Sequence, residues 1–171
     1  MTVRKLTLAA LLVALGVVTA HVIWFPAGVA KAFPVQHAIN VVAAVYLGPG
    51  PAVLVALAIG ILRNALGVGT PLAFPGGMVG AWLAGVAYRR TGRLGAAVLG
   101  EVVGTGILGA LLAVPVARWV MGTEAAALAF VPAFLVSSAT GAVLAGLLLR
   151  ALGRGPAGRQ EGGVPEPPGR A

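Results

Sequence analysis

From Leu94 to Trp119 the chain runs through 26 residues whose only charged side chains are Glu101 and Arg118. That is enough helix to cross a hydrocarbon core of about 30 Å, at about 1.5 Å of rise per residue. Five further apolar runs accompany it, at Leu6–Phe25, Val35–Leu47, Ala52–Leu66, Leu72–Tyr88 and Ala126–Leu149. Only 9% of the 171 residues are charged and 59% are hydrophobic. A soluble domain needs about 25% charged residues to cover its surface. The mean hydropathy of +1.00 agrees. The sequence therefore predicts an all-α integral membrane protein with six transmembrane helices.

The separators are GPGP at 48–51, the stretch 67–71, the basic segment 89–93 and the stretch 121–124. Val35–Leu47 and Ala52–Leu66 are short for full crossings, so their bounds are the least fixed. Arg4 and Lys5 precede the first run as they would in a signal peptide. No small-residue cleavage site followed by a soluble domain appears, which predicts a retained first span. With six spans, Arg4, Lys5, Arg89, Arg90, Arg93, Arg150, Arg154, Arg159 and Arg170 share one side, and only Lys31, Arg63 and Arg118 fall on the other. Cytoplasmic loops carry the excess of Lys and Arg, so both termini are expected in the cytoplasm. Merging the two short runs into one would set the 89–93 loop against the N-terminus, and the charge bias rejects it. Residues 1–152 are expected to form one transmembrane domain. Residues 153–171, rich in Gly, Pro and charge, are expected to be a disordered cytoplasmic tail.

Several function classes fall away. A net charge of +8 would suggest nucleic acid in a soluble protein, but here the Lys and Arg set orientation in the bilayer. The chain has no Cys and only two His, which gives no dependable metal cluster. There is no G-x-S-x-G elbow and no P-loop. No enzyme and no cofactor are expected. Gly104-Thr-Gly106-Ile-Leu-Gly109 fits G-x-G-x-x-G, but that fingerprint needs a strand before it. In a long apolar run, small residues instead let helices approach closely. Gly100 with Gly104 and Gly80 with Ala84 have the same spacing. So do Ala10 and Ala14 in the first span, where a contact within the chain and a partner-docking face are both open.

Polar residues stand out against this background. Gln36, His37 and Asn40 lie within five residues, behind Lys31 and Pro34. Polar side chains are costly within a membrane and mark candidate sites. In the six-span order this cluster lies near the outer end of the second span, and Arg63 and Asn64 near the outer end of the third. The two groups can converge, with His21, Trp24, Phe25, Phe33 and Phe74 nearby. Aromatic faces with a few directed polar groups describe a small-molecule pocket. Trp24 and Arg63 read equally well as interfacial anchors. Glu101, the one acid inside a span, should lie below the pocket. Ligand contact, an ion pair and a neutral hydrogen bond are all open to it. Thr105 sits one turn further along the same face. Ser137, Ser138 and Thr140 are expected to bond their own backbone carbonyls.

The strings KAFPVQHAIN at 31–40, LRNALGVGT at 62–70, LAFPGGMVGA at 72–81 and GEVVGTGILGA at 100–110 resemble the ThiW family, with the likeness extending over residues 4–150. These are substrate-binding S components of energy-coupling-factor (ECF) transporters. Gly77 departs from the family pattern, which leads one to expect a serine there. The resemblance implies a six-helix S-component bundle that takes up a thiazole precursor of thiamin, a hydroxyethyl-methylthiazole. It also implies a transmembrane T subunit and two ATPase subunits as partners, and a carrier that topples in the membrane to present its pocket to the cytoplasm. In related S components an A-x-x-x-A pattern in the first helix docks the T subunit, and Ala10 and Ala14 match it. For such a ligand, His37, Asn40 and Asn64 are expected to supply hydrogen bonds, with Gln36 second. Phe74 or Trp24 would stack on the ring. The competing readings are an S component for another vitamin, such as thiamin, and a ligand-free structural membrane subunit.

Overall fold

A computed structural model describes residues 2–27, 30–124 and 128–153. Among them are six helices: α1 (Val3–Thr19), α2 (Pro34–Leu47), α3 (Pro49–Ala65), α4 (Ala73–Thr91), α5 (Leu94–Trp119) and α6 (Val131–Ala151). The expected tail lies outside the described residues from position 154 onward.

Local chemistry sets the helix ends. Pro34 and Pro49 occupy first-turn positions, where the missing N–H costs nothing and φ is already helical. Gly48 turns the chain between α2 and α3 with φ 90°, a conformation a side chain would strain. Of the expected GPGP separator, therefore, only Gly48 is turn, and the next three residues start a helix. Gly92 closes α4 in the left-handed region, its amide bonded to the Tyr88 carbonyl, with Arg89 and Arg90 in the last turn. The first span also departs from expectation, for the helix ends at Thr19 rather than running to Phe25. Beyond it, β1 (Phe25–Ala27) pairs antiparallel with β2 (Ala30–Ala32), Phe25 opposite Ala32. An apolar hairpin and an apolar helix end have the same hydropathy, so the sequence alone reads as one unbroken run. The last helix starts at Val131, inside the expected Ala126–Leu149.

Contacts along the helices set their directions. Ala20 beyond α1 borders the same space as Phe33 at the start of α2. Gly85 of α4 abuts Pro49 of α3, whereas Gly60 of α3 abuts Phe74 of α4. Gly100 of α5 faces Ala84, and Gly109 faces Gly76. Gly106 packs on Leu135 of α6, and Gly146 of α6 on Val98. Neighbours in sequence thus run antiparallel, and α2 lies parallel to α6, with Pro34 beside Gly141. Arg4, Lys5, Arg89, Arg90, Arg93 and Arg150 come together at one end of the bundle.

The expected glycine packing is borne out. A Cβ on Gly104 would stand 2.7 Å from the Gly80 Cα, and one on Gly100 2.8 Å from the Leu83 carbonyl oxygen. The segment Gly104–Gly109 is wound as a π-helix between the α-helical stretches Leu94–Val103 and Ala110–Trp119. Such bulges recur at functional sites.

Polarity is distributed as in a membrane protein. Leu54, Ile61, Trp82, Leu99, Leu144 and Leu148 are exposed mid-helix, while Asn40, Arg63, Glu101 and Ser138 are buried. Leu94–Trp119 and Val131–Ala151 are each long and apolar enough to cross a membrane. Pro34–Leu47 and Pro49–Ala65 are apolar but shorter.

Candidate functional site

At the end of the bundle opposite the basic cluster, the helix ends and loops enclose a cavity of about 910 Å³. This size suits a small molecule. The end of α1 and the hairpin contribute His21, Trp24 and Lys31, and the start of α2 contributes Phe33, Gln36 and His37. Arg63 and the loop through Thr70 form a second wall, and Gly76, Gly77 and Thr105 lie deeper. Phe130, at the N-cap of α6, and Phe134 and Ser137 within it form the wall that sequence reasoning missed. The two rings lie 6.2 Å apart, one turn apart on the same helix face. That spacing was the available signal, but aromatic residues in an apolar run carry no contrast.

Beneath His37 lies a buried polar network. Glu101 is 0% exposed, and three side chains converge on its Oε1. His37 Nδ1 lies at 2.8 Å, Asn40 Nδ2 donates at 3.0 Å, and Thr105 Oγ1 lies at 2.9 Å. Asn40, also 0% exposed, donates to the Gly77 carbonyl at 3.2 Å. The Thr105 hydroxyl is shared with the Gly76 carbonyl at 2.9 Å. Glu101 Oε2 and Asn40 Oδ1 are buried without a partner among the described residues. With Nδ1 committed to Glu101, the imidazole offers Nε2 to the cavity it lines.

Arg63 organises the opposite wall. It donates to Gln36 Oε1 and to the Val68 carbonyl at 3.4 Å, and its guanidinium lies 3.9 Å over the Phe33 ring. Lys31 stands 4.1 Å over the Trp24 ring at the hairpin. Both are cation–π contacts.

Of the residues singled out in the sequence, His21, Trp24, Phe33, Gln36, His37, Arg63 and Thr105 line the cavity. Phe25 does not, being paired with Ala32 in the hairpin, and neither do four others. Asn40 and Glu101 are held behind the wall by the network. Asn64 donates to the Gly60 and Thr70 carbonyls at 2.9 and 3.2 Å, tying down the loop after α3. Phe74 packs on Gly60, where a Cβ would come within 2.9 Å of its ring. Ser137 also departs from expectation, because its Oγ accepts the Phe33 amide at 2.8 Å. Ser138 and Thr140 do bond their own helix carbonyls, at 3.3 and 2.8 Å. Ala10 and Ala14 are exposed on the face of α1 turned away from buried Leu12 and Gly16.

Fold and site together define the class: an all-α membrane protein with a small-molecule cavity at one end of its bundle. The family model described as thiamine-precursor transporter protein (ThiW) matches residues 6–155. The chain belongs to that family, a family of transporters, and membership implies a thiamine precursor as its small-molecule cargo. No match was found among curated proteins or among solved structures.

Proposed function

We propose that the chain is the substrate-binding S component of an ECF transporter, capturing the hydroxyethyl-methylthiazole precursor of thiamin from outside the cell. On this reading residues 1–152 cross the cell membrane six times, both termini are cytoplasmic, and 153–171 form a cytoplasmic tail. The reading is carried by one observation: a roomy aromatic and polar cavity opens at the end opposite the basic cluster. Basic residues favour the cytoplasm, so the cavity would meet arriving nutrient.

Direct ligand contacts are assigned to Trp24, Gln36, His37, Arg63 and Thr105, with Asn40 and Glu101 orienting His37 from behind. Asn64 and Phe74 hold the surrounding loop and helix start. A thiazole offers an aromatic face and a ring nitrogen acceptor, and its arm a hydroxyl, which suit Trp24 and His37. Energy would come from two ATPase subunits acting through a T subunit that docks on the exposed Ala10–Ala14 face. The apolar outer surface lowers the cost of toppling in lipid.

The test is calorimetric titration of the detergent-purified chain with hydroxyethyl-methylthiazole. Saturable binding is expected, weakened roughly tenfold or more by His37→Ala, the loss of one strong hydrogen bond. Equal binding by the variant would refute the site, and the absence of any heat or thermal shift would refute the ligand.

A further inference from the structure

Arg63 is 2% exposed and lines the cavity, yet no carboxylate among the described residues lies within ion-pair distance of it. The buried carboxylate of Glu101 is held elsewhere, its Oε1 2.8 Å from His37 Nδ1 and also met by Asn40 and Thr105. A guanidinium has five N–H donors. Gln36 and the Val68 carbonyl take two, both neutral, and Nε is buried without a partner among the described residues. The Phe33 ring covers one face of the group. The C-terminal end of α3 contributes only a partial negative charge. A full positive charge is therefore held in an apolar bundle with donors to spare and, among the described residues, no carboxylate in contact with it, which is costly unless something supplies one.

Lys31 adds a second positive charge on the hairpin side, and the one acid among the described lining residues, Glu124, is on the exposed stretch after α5. We infer that the cavity takes its ligand as an anion, with Arg63 as the buried counter-ion. The chemical class is a thiazole bearing a phosphate ester or a carboxylate, in preference to the neutral alcohol and to cationic thiamin. The thiazole ring rests on the proposed function; the charge rests on Arg63. A planar guanidinium with free N–H groups suits either anion, since both accept paired hydrogen bonds. A carboxylate would neutralise Arg63, whereas a phosphate monoester, carrying about −1.5 to −2 near pH 7, would also engage the spare N–H donors and leave a net negative charge.

The test compares five probes on the purified full chain by calorimetry at fixed ionic strength. They are hydroxyethyl-methylthiazole, its phosphate ester, a methylthiazole carboxylate, thiamin and nicotinate as an anion without the thiazole. At least one anionic thiazole should bind roughly tenfold or more tightly than the neutral alcohol, and which one does so separates phosphate from carboxylate. Arg63→Gln should level the anionic probes with the alcohol, and Arg63→Lys should keep part of the preference. Neutral alcohol binding as tightly as both anions would overturn the inference and leave the thiazole reading standing. Nicotinate binding while every thiazole fails would overturn the thiazole reading and leave the anion site standing. Thiamin binding tightest, or no probe binding, would overturn the inference. The wild-type comparison decides even if neither variant folds.

Discussion

Replacing Glu101 separates two roles the buried carboxylate could play, as an acceptor of the right shape or as a charge. In Glu101→Ala all three bonds to Oε1 vanish, but the losses are unequal. Asn40 keeps the Gly77 carbonyl at 3.2 Å and Thr105 keeps the Gly76 carbonyl at 2.9 Å. His37 Nδ1 keeps nothing, because Glu101 Oε1 at 2.8 Å is its partner. An orphaned buried donor costs about 1–3 kcal/mol, and the lost methylene about 0.8 kcal/mol more. Relief from burying a carboxylate with Oε2 unpaired offsets part of this. The net expectation is about 3 kcal/mol of lost stability. Glu101→Gln keeps an oxygen where the three donors converge. Its amide nitrogen replaces Oε2, already unpartnered, so the cost should be about 1 kcal/mol, from the lost charge on the acceptor. Unfolding of the purified protein by SDS in mixed micelles, followed by circular dichroism, measures both. Glutamine costing as much as alanine would refute the acceptor argument and make charge the decisive property.

Two further outcomes follow from packing. A Cβ on Gly80 would clash with Thr105 Oγ1 and stand 2.6 Å from Glu101 Oε2, so Gly80→Ala should cost about 3 kcal/mol in the same unfolding assay. Gly95→Ala meets nothing within 4 Å in the same helix pair and should gain up to about 1 kcal/mol; equal effects would refute the close-approach argument. Tryptophan at Ala10 and Ala14, both exposed, should leave thermal stability and ligand binding intact and abolish co-purification with the proposed T subunit. Retained co-purification would move the docking face elsewhere.

The helices were legible because the apolar runs are long and their ends carry chemistry that acts locally, such as Pro34 at a helix start and Gly92 at a helix end. The pairing of Phe25–Ala27 with Ala30–Ala32 was not legible. Hydropathy measures preference for an apolar environment, and an apolar strand over a cavity satisfies that preference as well as a helix does. The cavity divides along the same line. Gln36, His37 and Arg63 contrast with an apolar background, so they could be picked out; Phe130 and Phe134 do not, and only tertiary packing turns them inward. Asn40 and Asn64 contrast equally well, yet neither opens onto the cavity. Polarity in a membrane segment signals that a partner exists, and for these two the partners are the protein's own carbonyls and Glu101.

Glu101 shows how far a local reading can go. His37 and Asn40, three residues apart, share a helix face by periodicity alone. Their carboxylate partner lies 64 residues from His37, and no spacing rule connects them. What connects them is the near-contact of α4 and α5 at Gly76, Gly80, Gly104 and Gly109. With side chains at those positions the two helices would separate, and the Thr105 hydroxyl could not lie 2.9 Å from the Gly76 carbonyl. The run Gly104–Gly109, whose spacing imitates a nucleotide fingerprint, therefore does have a part in the candidate site. It acts by removing side-chain volume between two helices, which brings Glu101 up behind His37 and fixes which imidazole nitrogen the cavity receives.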